Sequence, residues 1–255
     1  MTIGPHRDAA PGCIVVAAGS AVTTALAAPL AANGYSVALV SDQRPDQTSG
    51  AHLSSVPCTF ESRSAVDLAF DQAVARCGTP QLSVLSMMPA ALTRVGNIDE
   101  VHSEVWTGAL QAAALATLYA LQACHRVLQA TGGTIVMVGP AFSLVGAPGL
   151  CALSTLLEGQ RALAKSAARQ WGRFGIRVHW IALGSDANDA NDANDAELSP
   201  ARLPQVPELG PPPPALGRVP GPAAIAPLIG FLGSSAARAL TGATLVADGG
   251  NWMVP

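Results

Sequence analysis

With 255 residues, 49% apolar and only 12% charged, the chain can bury one sizeable core and reads as a single domain, 1–255. A net charge of −3 and a pI near 5.9 argue against a nucleic-acid partner. Average soluble domains carry roughly 25% charged residues, so this composition points to surface hidden between subunits.

Residues 1–11 read as a flexible N-terminus. No charge occurs from Ala9 to Ser41, but Gly19-Ser20, Thr23-Thr24, Pro29 and Asn33-Gly34 break this stretch into strand, helix and strand. No positive segment leads into an apolar one either, so neither a membrane span nor a leader is expected, and the chain reads as cytoplasmic. Further short apolar runs predict strands near 13–18, 36–41, 54–58, 82–86, 133–139, 176–183 and 243–247. Alternation with helical patterns predicts a Rossmann-like doubly wound parallel sheet of about seven strands, in three α/β/α layers. Val22, Leu26 and Leu30 form the sheet-facing stripe of the first helix. A long helix is expected over 103–129, uncharged from Val105 to Cys124 and so buried both against its own sheet and against a neighbour.

Cysteines 13, 58, 77, 124 and 151 are scattered, odd in number and without CxxC spacing, which predicts free buried thiols. The stretch 185–217 is an acidic, proline-rich insertion with Ala-Asn-Asp repeated three times. Asp186, Asp189, Asp192 and Asp195 could line a turn, but without the glycine and spacing of an EF-hand loop they read as a solvated acidic loop and no metal is expected.

Two blocks carry a resemblance to a known family. Residues 132–184, GGTIVMVGPAFSLVGAPGLCALSTLLEGQRALAKSAARQWGRFGIRVHWIALG, and 231–250, FLGSSAARALTGATLVADGG, resemble the short-chain dehydrogenase/reductase (SDR) family, of FabG-like type. In that family a tyrosine and a lysine four residues later share one face of the helix between strands five and six. The tyrosine exchanges a proton with the substrate oxygen; the lysine lowers its pKa and holds the cofactor ribose. Here those positions are Leu153 and Leu157. The family serine falls on Pro140, and the supporting asparagine of the preceding helix falls on Gln111 or Ala112.

The cofactor stations match no better. The family's Thr-Gly-x-x-x-Gly-x-Gly loop is about two residues short, leaving Gly19, with Ser20 as a cap for the first helix. Asp42, or else Ser41, stands near the acid that binds the adenosine ribose, and Thr59 replaces the aspartate that contacts adenine. The family's Asn-Asn-Ala-Gly becomes Leu85-Ser86-Met87-Met88. The two tyrosines, Tyr35 and Tyr119, and the single lysine, Lys165, are too far along their elements to replace the missing pair. Cys151, Glu158, Arg161, Ser143 and His179 are the reactive groups nearby, with Cys151 more often a small apolar filler than a nucleophile.

The resemblance with these losses implies a pseudoenzyme, a structural, regulatory or ligand-binding subunit with no cofactor expected and NAD(P) as the only residual one. The partner expected is a second copy, as dimer or tetramer through helices 103–129 and 150–174, or an intact SDR paralogue. An atypical oxidoreductase, or a cofactor-independent lyase-type relative, is the alternative. A third reading is an apolar binder using a pocket of Met87, Met88, Leu153 and Leu157.

Overall fold

The computed structural model describes residues 10–19, 21–42, 52–92, 96–184 and 213–253. Residues 185–212 of the insertion expected over 185–217, the first nine residues, Ser20 and the Val22 side chain lie outside the described residues. Seven strands form one parallel sheet: β1 (Gly12–Ala18), β2 (Ser36–Ser41), β3 (Leu53–Pro57), β4 (Pro80–Met87), β5 (Gly133–Pro140), β6 (Ile176–Leu183) and β7 (Thr244–Ala247). Their order is β3-β2-β1-β4-β5-β6-β7. The reversal of strand order falls between β1 and β4, whose carboxyl ends are where a doubly wound sheet opens its crevice.

Among the described residues five α-helices cover the sheet: α1 (Ala21–Ala32), α2 (Arg63–Cys77), α3 (Gln111–Leu128), α4 (Cys151–Trp171) and α5 (Pro222–Gly233). A parallel sheet must be buried on both faces, and alternate side chains of each strand do enter different cores. Val16, Leu85, Met137 and Trp180 point into the layer of α2, α3 and α4. Val15, Val84, Val138 and Ile181 point into the layer of α1 and α5, where Leu26 and Leu30 keep the role expected of them.

The long helix expected over 103–129 runs without a break from 103 to 128, with one widened stretch near its start. A π-helical stretch at Val105–Leu110 precedes α3, and Gly108 inside it removes a side chain where the backbone widens. Its outer side does not meet a neighbour within the chain: Leu115 and Leu118 are 39% and 37% exposed. At the other end, His125 packs on Trp171 and edge-on to Phe174, at ring distances of 4.9 and 5.2 Å, joining α3 to the end of α4. Arg126 ties α3 to α2 through Asp67 and Asp71, at 3.2 and 2.8 Å. The five cysteines are free, four of them buried and Cys151 half-buried.

His179 lies at the middle of β6, fully buried. Burial, then the Arg177 guanidinium, push its pKa down to about 4, against a smaller opposing pull from the Leu240 backbone. Arg177 itself donates to the carbonyls of Gly233, Ser234 and Ala237, fastening the end of α5 to β6. Because the folded pKa lies below the unfolded value of about 6.5, the unfolded chain takes up the proton first on acidification. Stability therefore falls as pH drops below about 6.5, and the full loss, up to about 3 kcal/mol, is reached near pH 4. Urea unfolding across that range should show this slope in the native chain, and His179→Gln should flatten it; an unchanged slope in the variant would remove His179 as the cause.

Candidate functional site

Several of the stations singled out from the sequence, among them Gly19, Asp42, Met87, Met88 and Pro140, lie at the carboxyl end of the sheet. Leu153 and Leu157 sit one turn apart on α4, and both are 0% exposed. They share one continuous core with Met87, Met88 and Trp180. The Trp180 ring, from β6, lies across Gly139 of β5, with Leu157 closing the third side. A Cβ built on Gly139 would stand 2.5 Å from Trp180 Cζ2 and 3.0 Å from Leu157 Cδ2. The position of the expected lysine is thus wholly buried in the apolar core. No ionised group could stay there without a partner.

Pro140 closes β5 and is buried. Ser143 is buried too, and its hydroxyl donates to the Pro140 carbonyl at 3.2 Å. Gln111 and Ala112 are both exposed, at the junction of the π-helical stretch and α3. Neither therefore reaches the buried end of β4. Glu158 is half-buried and ion-paired with Arg161 one turn on, the Nε–Oε2 distance being 2.8 Å. Lys165 is exposed. Tyr119 is partly buried against the core and Tyr35 lies just ahead of β2, so the structure brings no tyrosine to Leu157.

A polar residue that the sequence pattern passed over occupies this region. Gln160, three residues past Leu157, is almost wholly buried. Its Nε2 donates to the Met87 carbonyl at 2.8 Å and to Thr117 Oγ1 at 3.0 Å, and Thr117 in turn donates to the Ala113 carbonyl. The pairing of β4 with β5 ends at Leu85 and Met137, so the last residues of β4 lose that neighbour. Gln160 satisfies one of the carbonyls left there and binds α3, α4 and β4 together. The available signal was a long polar side chain on the same helical face as Leu153 and Leu157. Ser86 is buried at the same strand end, with no hydrogen-bond partner for its hydroxyl.

Across the crevice, Gly19 joins β1 to α1 with φ +64°, and a Cβ there would lie 2.5 Å from the Met88 carbonyl oxygen. No other residue type fits that turn without strain. Its amide donates to Asp42, with both carboxylate oxygens at 3.1 Å. Cys58, at the exit of β3, is close enough to Asp42 that the carboxylate adds to the rise of its thiol pKa, which burial dominates. Thr59 is exposed beside it.

The far edge is closed by the turn after β7. Asp248 is buried and accepts from the amides of Gly250 and Trp252, at 2.8 and 2.6 Å. Leu216 donates to the Gly249 carbonyl, so the segment entering α5 is tied to this turn. Among the described residues no group of three or more His, Cys, Asp or Glu could hold a metal, and no helix is long and apolar enough to cross a membrane. The aspartates of the Ala-Asn-Asp repeat lie outside the described residues.

This sheet order, with helices on both faces and its reversal between β1 and β4, defines a Rossmann-type domain. The chain belongs to the short-chain dehydrogenase/reductase family: residues 16–251 match the family model described as enoyl-(acyl carrier protein) reductase. It is 25% identical over 250 residues to a 3-oxoacyl-[acyl-carrier-protein] reductase, FabG, of Staphylococcus aureus, covering 94% of this chain and 97% of that protein. A trans-4-hydroxycyclohexanecarboxylate dehydrogenase of Sinomonas cyclohexanicum is 29% identical over 191 residues, 75% of this chain and 66% of that protein. Among solved structures, a 3-ketoacyl-(acyl-carrier-protein) reductase from Brucella melitensis complexed with NADH superposes with a TM-score of 0.75 at 18% identity, covering 94% of this chain and 98% of that one. A short-chain oxidoreductase from Pseudomonas aeruginosa, described as containing an atypical catalytic center, gives the same TM-score at 21% identity, covering 96% and 98%. Family and fold are thus those of SDR oxidoreductases.

The contact between Trp180 and Gly139 gives a direct test of how the site is filled. Gly139→Ser should cost about 2 kcal/mol through overpacking against the indole. In the Trp180→Ala background the same serine should cost at least about 1 kcal/mol less. Chemical denaturation of the four proteins measures that coupling, and strictly additive costs would show that the two residues do not compete for space.

Proposed function

We propose that this chain is a catalytically silent member of its family, acting as a structural or regulatory subunit and not running the family's hydride transfer. The observation that carries this reading is the packing of Leu153 and Leu157, whose side chains are wholly buried and can neither exchange a proton nor hold a ribose. Acid–base catalysis needs a titrating group within hydrogen-bond reach of the reacting oxygen. Pro140, Leu153 and Leu157 supply none, and Gln160 spends its amide protons on Met87 and Thr117.

A dinucleotide such as the one bound by the Brucella neighbour does not fit the residues present. The Gly19 amide is already engaged by Asp42, and the single glycine left in the turn lies close to Met88, where the family's loop has three glycines to let the backbone approach a diphosphate. The ribose-holding lysine has no counterpart beside Trp180 and Gly139. The partner in this reading is a second copy of the chain or an intact paralogue, meeting α3 and α4. Supporting it, Leu115 and Leu118 stand outward on α3, and α4 presents the small exposed residues Thr155, Gly159, Ala162 and Ser166.

A second reading is favoured by the names of the relatives, which are dehydrogenases and reductases, and by the neighbour with an atypical catalytic center. In it the chain is an oxidoreductase with a rearranged site. Fluorescence titration separates the two. The silent reading expects no saturable quenching of NADH or NADPH at micromolar protein, and saturable binding would sink it. The assembly is tested apart from the chemistry. Leu115→Glu together with Leu118→Glu should reduce the native mass from oligomer to monomer, whereas an unchanged mass would exclude the α3 face.

A further inference from the structure

Charge is unevenly spread along this chain. Between Glu158 and Asp186 the sequence carries five cations, Arg161, Lys165, Arg169, Arg173 and Arg177, and no acid. Residues 186–197 then carry five acids, Asp186, Asp189, Asp192, Asp195 and Glu197, and no cation. The net charge of −3 therefore conceals two opposed blocks that follow one another directly. The structure turns most of the cations outward. Arg161, Lys165 and Arg169 recur at every fourth residue of α4, which places them on one flank of the helix. Arg173 follows in the turn Gly172–Phe174, with its guanidinium over the Phe174 ring at 4.8 Å. Arg161 is held by Glu158, and Arg177 is spent on the carbonyls at the end of α5. Lys165, Arg169 and Arg173 are exposed and form no ion pair among the described residues. Like charges at this helical spacing destabilise one another, so an anion laid along the flank is favoured.

We propose that this flank of α4 is a docking surface for the acidic repeat, residues 186–197, of the same chain. Position and reach agree with the charges. Ala168, beside Arg169, faces Gly242 just ahead of β7, so the flank lies at the β6–β7 end of the sheet, where the repeat is attached. Counted from Cys151, which opens α4, Arg169 stands about 27 Å along the helix axis at 1.5 Å per residue. Asp195 is eleven residues past Gly184, the last residue described after β6, and so has a covalent reach of about 36 Å. Attachment to the same chain also gives the repeat a high effective concentration over any free anion. Once paired, the two blocks cancel, and α4 offers no cationic seat to a foreign acidic partner. The surface lies outside the buried positions of Leu153 and Leu157, so the proposal holds whether or not the chain is catalytically silent.

The test is the rate at which an endoprotease that cuts before aspartate cleaves residues 186–197 in the native full-length chain, followed by mass spectrometry. Such cleavage follows the population of the undocked segment. Lys165→Gln, Arg169→Gln and Arg173→Gln together should speed cleavage at least about ten-fold in low salt. Added salt should speed the wild type toward the same rate, and the triple variant should respond little. Arg63→Gln, which removes a cation from α2, should leave the rate as it is, and Lys165→Arg should keep the protection. Equal rates in the wild type and a cooperatively melting triple variant overturn the proposal and leave the flank to a foreign partner. Should the triple variant not fold, a wild-type rate that ignores salt overturns it instead. Protection that disappears on dilution would place the repeat on a second copy and overturn the assignment to the same chain.

Discussion

Trp180 over Gly139, with Leu157 against both, is the contact on which the carboxyl end of this sheet depends. β5 and β6 run in register along their whole length, Met137 opposite Trp180 and Gly139 opposite Ala182. An indole at position 180 can lie on β5 only because the residue two places beyond its direct partner has no side chain. The same indole needs an apolar wall from α4, which Leu157 supplies. Replacing any one of the three changes the volume available to the other two, and close-packed interiors tolerate little of that.

From this follows the polar arrangement around it. A core so filled leaves the strand end of β4 without its neighbour on one side, and Gln160 and Thr117 reach in to satisfy the Met87 carbonyl. On the other side of the crevice, Gly19 presses on Met88 and Asp42 takes the Gly19 amide. The Met87 carbonyl and the Gly19 amide are paired with the chain itself, whereas the buried hydroxyls of Ser86 and Ser154 have no hydrogen-bond partner among the described residues. Satisfying polar groups internally removes the cost of leaving them unpaired in a dry cleft.

The strands were legible to within about two residues because a parallel sheet buried on both faces demands unbroken apolar runs, and 36–41 and 176–183 coincide with β2 and β6. The places of Leu153, Leu157 and Pro140 were legible from the family pattern. Other features were hidden because they are properties of pairs far apart in sequence. Gly139 and Trp180 have no local signature that matches one to the other, nor do Gly19 and Asp42. Gln160 was passed over because one amide on an apolar face reads as solvated until its partner carbonyl is located. The π-helical widening at Val105–Leu110 escaped because a run without charge or proline gives periodicity no reason to break.

The chain has four tryptophans, and the structure gives them unequal surroundings. Trp106 is 43% exposed, Trp171 and Trp252 are partly buried, and Trp180 is buried with no hydrogen-bond partner for its indole nitrogen. An indole in so dry a setting emits at shorter wavelength than one that can share its proton with solvent. The residue that fills the cleft is therefore also its own optical reporter: water reaching the space beside Leu157 would shift the emission of Trp180 toward the red, without any label having to be attached.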